Sequence, residues 1–294
     1  MGVSGRLGLG AAALLMLTAQ PQPWAQAPAP TEAPAPAQKP VPGGSFHEDF
    51  TSDRLDPARW YVSDGWSNGE HQLCVWSKDH VRLEGGALQL VLEKGPRGGR
   101  DYACGEIQTQ AFHSFGVYEA RIRPSKGPGV VSALFTYTGP THGTRHDEID
   151  IEFVGKRADA VEMTHWVDGK ADGGKVVELG LDASRAYRDY AFEWAPDRLR
   201  WFVDGQLVHE VTAARGPIPQ TPSKLFLSLW NGNNEAWLGK FADAGRPLTM
   251  HVDWVAFTAA GEGCRFPASL LCRQSRRAAG TASPAPPPTK PPAP

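Results

Sequence analysis

The sequence predicts an all-β fold, a sandwich or barrel of antiparallel strands. Three observations carry that expectation. Between positions 46 and 257, short runs rich in β-branched and aromatic residues alternate with turn signals. The dipeptides Gly85-Gly86, Asp168-Gly169 and Asp204-Gly205 are tight-hairpin signatures. No stretch in this region sustains a helical period over three turns. Many evenly spaced strands with turns between them fit a sandwich or barrel, not a parallel sheet.

The clearest runs follow in order. Residues 87–92 (ALQLVL) leave the Gly-Gly turn as an apolar strand. Residues 116–122 (GVYEARI) and 130–137 (VVSALFTY) are β-branched and aromatic, and 148–154 (EIDIEFV) alternates polar and apolar through Phe153. Residues 190–194 (YAFEW) and 199–203 (LRWFV) lie upstream of the Asp204-Gly205 turn. Residues 224–230 (KLFLSLW) and 250–257 (MHVDWVAF) complete the set. No internal repeat is visible.

The 294 residues carry 30 Lys+Arg against 32 Asp+Glu, a formal charge of -2. That balance lacks the basic footprint of a nucleic-acid binder. The 10 Trp offer flat apolar faces with one polar N–H each, a match for sugar rings, although core or rim packing competes for every one of them.

Arg6, an apolar run over 7–17 and small residues around Ala25 and Ala27 read as a secretory signal peptide, residues 1–25. The run is well short of the roughly 20 residues that span a bilayer, so a secreted protein, periplasmic or extracellular, is expected and no membrane partner. Residues 26–44 form a Pro/Ala-rich linker, and 274–294 a Pro-rich disordered tail. A folded domain over 45–260 and a disulfide-closed extension over 261–273 lie between them.

Four cysteines in an exported chain suggest two disulfides, with three connectivities open. Cys74 with Cys104 and Cys264 with Cys272 close the short local loops and are the expected pairs. No C-x-x-C pair supports zinc.

In 148–154 a period of two turns Ile149, Ile151 and Phe153 to one side and Glu148, Asp150 and Glu152 to the other. Three acids on one strand face repel unless a charge partner or a shared proton relieves them. An acidic solvent face and a calcium site are competing readings. Aspartate is depleted in strands, and no Lys or Arg interrupts the row. Glycoside hydrolysis needs two carboxyl groups flanking the scissile bond. Glu148 and Glu152 have Cα atoms about 13 Å apart at strand rise, so both side chains must lean inward over Asp150. Asp150 is placed to share a proton with a neighbour, leaving one glutamate ionised and one protonated.

The segment HDEIDIEFVG, 146–155, resembles the catalytic motif of glycoside hydrolase family 16, specifically its bacterial endo-β-glucanases. SFGVYEARIRP from Ser114, VVSALFTYTGPTHGT from Val130, YAFEWAPDRLRWFVDGQLVHE from Tyr190 and LSLWNGNNEAWLG from Leu227 agree with it. So do SDGWSNGEHQLCVWSKDHV from Ser63 and DYACGEIQT from Asp101. The likeness covers about residues 46–257 and is to secreted succinoglycan-depolymerase-type and lichenase-type enzymes. It implies a jelly-roll β-sandwich, concanavalin-like, with a concave substrate cleft, cutting internal β-glucosidic bonds with retention.

By the same resemblance Glu148 is the nucleophile, Asp150 the auxiliary acid and Glu152 the general acid/base. Cys74 pairs with Cys104. Trp66, Asn68, Glu106, Trp230 and Trp237 line the sugar cleft, and Asp253 matches a residue of a structural calcium site. No cofactor is implied for catalysis. The expected partner is a β-glucan or exopolysaccharide substrate, and the protein is expected to be a monomer.

Departures bear on substrate. His146 stands where lichenases carry Trp, Ser228 replaces an Asn, and the strand after the motif has Glu162, Thr164, His165 and Trp166 in place of Gln, Asn and Tyr. His146 and Trp166 are taken as substrate contacts. His142, His146 and His165 lack the spacing of a zinc hydrolase. Two other readings share these residues: a catalytically silent sugar-binding module, and a transglycosylase whose covalent intermediate meets a sugar in place of water.

Overall fold

The computed structural model describes residues 43–171 and 174–280. The expected signal peptide, nearly all of the expected linker and residues 281–294 of the expected tail lie outside them. In chain order the strands are β1 (Phe46–Glu48), β2 (Trp60–Val62), β3 (Cys74–Trp76), β4 (Val81–Glu84), β5 (Ala87–Arg97) and β6 (Arg100–Cys104). β7 (Glu106–Thr109), β8 (Gly116–Arg123), β9 (Val130–Thr138), β10 (Asp147–Val154), β11 (Ala160–Val167) and β12 (Lys170–Ala171) follow. The remainder are β13 (Lys175–Glu178), β14 (Arg188–Ala195), β15 (Arg198–Val203), β16 (Gln206–Thr212), β17 (Lys224–Asn231) and β18 (Leu248–Ala259). Two helices, α1 (Glu235–Leu238) and α2 (Leu270–Ala278), come late.

These strands form two sheets. The ten-stranded sheet runs β16-β15-β14-β8-β18-β5-β6-β3, with β1 on β18 and β4 on β5. The eight-stranded sheet runs β12-β11-β10-β9-β17-β7-β2, with β13 on β11. Pairing is antiparallel except between β3 and β6. This is the jelly-roll sandwich the sequence implies, and all eight expected runs are strands. The three hairpin dipeptides also turn as expected: Asp168-Gly169 (φ 52 and 72°) and Asp204-Gly205 (φ 48 and 77°) hold positive φ at both positions, as does Gly85-Gly86.

The core lies between the sheets because each strand alternates. Leu88, Leu90, Tyr118, Ile122, Phe192 and Trp201 enter it from the larger sheet, and Ile107, Leu134, Ile149, Ile151, Leu225 and Leu227 from the smaller. Each fully buried Leu or Ile contributes about 1.5–3 kcal/mol. A polar bond crosses this layer behind β10: Trp201 Nε1 donates to the Asp150 carbonyl at 3.1 Å, tying the strand from behind.

Both expected disulfides are present, Cys74–Cys104 and Cys264–Cys272. The C-terminal region differs from expectation in one respect, since α2 runs through the boundary drawn at residue 273 and ends at Ala278. Ser269 Oγ accepts from Cys272 N–H as its N-cap, and Leu270 packs on Val117, Ala191 and Phe202. Those three face away from the core, so α2 covers the back of the larger sheet. The Leu270 N–H meets Glu119 Oε2 at 2.7 Å and Arg273 pairs with Asp189. The arginines that resemble a tail in the sequence belong to a docked helix.

Candidate active site

Register places the functional side chains. On β10, Glu148 lies opposite Trp166 of β11 and Tyr137 of β9. Asp150 lies opposite Thr164 and Phe135, and Glu152 opposite Glu162 and Ala133. The row continues onto β17 with Lys224, Phe226, Ser228 and Trp230, then onto β7 with Gln108 and Glu106. All of these share the face turned away from the core.

The start of β10 is fixed by Asp147, fully buried on the opposite side of the strand. Its carboxylate accepts from the backbone N–H groups of Asp168, Gln220 and Thr221 and pairs with Arg145 at 3.1 Å. Strand β10 is thereby clamped at one end by Asp147 and from behind by Trp201.

Burial pushes the Asp150 carboxyl well above the usual carboxylate range, and the charges of Glu148 and Glu152 on either side add to it. The neighbouring Glu148 side chain raises it further, and the Trp166 indole works the other way. Burial, then the Glu148 charge, then that of Glu162, raise Glu152 to about 8. His146 Nε2 is 2.6 Å from Glu148 Oε2. Its ring stacks on Trp166 at 5.5 Å and 13°, with Tyr137 edge-on at 5.2 Å.

Beyond Glu152, Trp230 and Trp237 approach at 6.1 Å, and His71 lies edge-on to Trp230. Trp237 Nε1 donates to Glu162 Oε2 at 2.8 Å. The loop bearing Trp66 and Asn68 reaches this end of β17 through a bridge between Gln72 and Gly232. Asn68 is exposed, whereas Trp66 is half-buried and edge-on to Trp76. The floor between Glu152 and Glu106 is low, made by Ala133 and Ser228, with Phe135 stacked on Phe226 at 4.8 Å beside it. A sugar ring fits such a floor with aromatic faces at its rim.

Glu106 is 2 % exposed, and burial raises it to about 8 despite the 2.6 Å bond from Ser63 Oγ. Its folded value exceeds the unfolded one, so its stabilising share is complete below about pH 4.5 and is lost as pH rises through about 8. Glu106→Gln is therefore expected to match the parent Tm at pH 4 and to exceed it by roughly 5 °C at pH 9. Parallel Tm curves across that range would count against a neutral carboxyl at this position.

Sequence reasoning did not single out Tyr137, Phe135, Phe226 or Asp147, and it noted Glu162 only as a departure. Period-two alternation would have assigned each to a face, but which of them adjoin the acids depends on register. His165 is turned inward and bonds the Pro217 carbonyl at 3.1 Å, so it does not join His146. Asp253 sits at a bulge in β18 of the other sheet, its Oδ2 3.6 Å from Arg121 Nε. Among the described residues no group of three or more His, Cys, Asp or Glu is arranged to hold a metal.

Residues 68–256 match the profile of Glycosyl hydrolases family 16. The chain is 43% identical over 233 residues to the endo-1,3-1,4-beta-glycanase ExoK of Rhizobium meliloti (strain 1021), covering 79% of this chain and 85% of that relative. It is 41% identical over 218 residues to a beta-glucanase of Bacillus subtilis (strain 168), covering 74% and 87%. The solved beta-glucanase of Bacillus licheniformis superposes with a TM-score of 0.68 at 41% identity, over 74% of this chain and 98% of that one. A laminarinase catalytic domain from Thermotoga maritima, 23% identical with a TM-score of 0.65, shares the fold.

Proposed function

Because this chain belongs to glycosyl hydrolases family 16, we propose that it is a secreted endo-β-glucanase that hydrolyses internal β-glucosidic bonds with retention. The observation that carries the reading is the single row of Glu148, Asp150 and Glu152 on one face of β10, with burial and the neighbouring charges raising Asp150 and Glu152.

In the first step a Glu148 oxygen bonds to the anomeric carbon as the glycosidic C–O bond breaks, and the Glu152 proton passes to the leaving oxygen. Water then attacks the same carbon, gives its proton back to Glu152 and releases Glu148. Asp150 holds the Glu148 carboxylate in line, and His146 meets its other side. Trp166 and His146 offer a platform on one flank, Trp230, Trp237, Trp66 and Asn68 on the other, with Glu106 and Ser228 along the floor.

The names of the two relatives and the row of acids support a β-glucan as substrate, with a succinoglycan-like exopolysaccharide the alternative that the sequence motifs suggest. The protein is taken to act as a monomer outside the cell, and among the described residues no helix is long and apolar enough to cross a membrane. A reducing-end assay on barley β-glucan, lichenan, laminarin, agarose and succinoglycan tests this. Release from lichenan and barley glucan would mean that His146 and Ser228 are compatible with mixed-linkage substrates. Release from succinoglycan alone would make them specificity determinants. Binding without release would favour the sugar-binding module, and products longer than the substrate would favour transfer.

The proposed chemistry uses carboxyl groups alone. Dialysis against EDTA is expected to leave the initial rate unchanged, and a loss restored by zinc or calcium would overturn that. Calcium at Asp253, if it binds, acts on Tm through simple linkage.

A further inference from the structure

Glu162 is the direct cross-strand partner of Glu152. Directly opposed residues hold their Cβ atoms about 4.5–5.5 Å apart, and like charges there are unfavourable. Native strands avoid that pairing unless something requires it. Here Glu162 is held in place. Trp237 Nε1 bonds its Oε2 at 2.8 Å, and the Trp237 backbone N–H is itself fixed by the Asn234 side chain at 3.2 Å. An indole N–H can only donate, so the Glu162 oxygen it meets must accept.

The surroundings of Glu152 leave Glu162 without a rival of opposite sign. Glu148 and Asp150 flank Glu152 on its own strand, and β9 presents Ala133 between Val131 and Phe135. Strand β11 presents Glu162 and Thr164, and α1 presents Trp237 with the exposed Glu235 at its first turn. Lys156, just past β10, is directed to the Ala236 carbonyl at 3.3 Å. Among the described residues no lysine or arginine is ion-paired with Glu152 or Glu162.

We propose that Glu162 is a positioning residue for the reaction: pinned by Trp237 across the strand pair, its carboxylate keeps the proton on Glu152 through the neutral range. The inference rests on Glu152 being the acid/base. Glu148 exerts a like effect only until it is esterified by the sugar, when its charge disappears. The charge of Glu162 persists through both steps. It therefore helps Glu152 hold a proton in the first step and strengthens it as a base in the second.

The test is the pH dependence of kcat/KM for Glu162→Gln, a change that keeps shape and an acceptor for Trp237 while removing the charge. The basic limb is expected to move to lower pH by on the order of one unit, with the acid limb and Tm in place. Glu162→Asp is expected to restore the parent limb at least in part. An unmoved limb, whether KM is unchanged or raised, overturns the proposal; a raised KM would make Glu162 a substrate contact only. Glu152→Gln is measured alongside. If Glu152→Gln abolishes turnover while Glu162→Gln moves nothing, this inference alone fails. If Glu152→Gln keeps full activity, the assignment beneath it fails.

Discussion

Glu148→Gln is expected to lower kcat on polysaccharide by about 10⁴-fold or more, because no covalent intermediate can form without the carboxylate. The fold should not pay for it. The Glu148 side chain is 20% exposed, its neighbours Asp150 and Glu152 gain from the loss of a like charge, and a glutamine can still accept a bond from His146. Tm should therefore stay level or rise. Rate and Tm measured on the same preparation separate a chemical defect from a folding one. A variant with near-parental turnover would remove Glu148 from the nucleophile's role.

Glu152→Gln is expected to lower kcat/KM on polysaccharide by about 10²–10⁴-fold, the range for removing a general acid. The loss should shrink on an aryl glycoside whose leaving group departs without a proton. Equal losses on both substrates would mean that Glu152 is not the acid. The group raised to about 8 also bears on stability. A carboxyl whose folded value exceeds its unfolded one stabilises fully below about pH 4.5 and loses that share as pH rises through about 8. The variant should match the parent at acid pH and exceed its Tm at pH 9.

The acid row was legible because a strand writes its faces into every second residue, and 148–153 alternates without a break. The Asp-Gly and Gly-Gly turns were legible for a similar reason, since positive φ at both positions restricts the residues that can stand there. What adjoins the row was not. Glu162, Tyr137 and Phe226 lie beside the acids through pairings between strands, and a shift of one residue would send each to the core. Strands of two to five residues such as β1, β2, β3, β6 and β12 are too short to show a period. Asp147 reads as a fourth acid, yet it is the clamp beneath the other three. In the C-terminal region Arg273, Arg276 and Arg277 masked a helix whose anchoring residues are Ser269 and Leu270.

That helix has a practical corollary. The last described turn, ending at Gly280, lies behind the larger sheet, with the whole sandwich between it and the carboxylates. A solid support or fused protein gripping the molecule through that end would leave the mouth pointing outward. A long polymer could then be drawn across it without meeting the point of attachment.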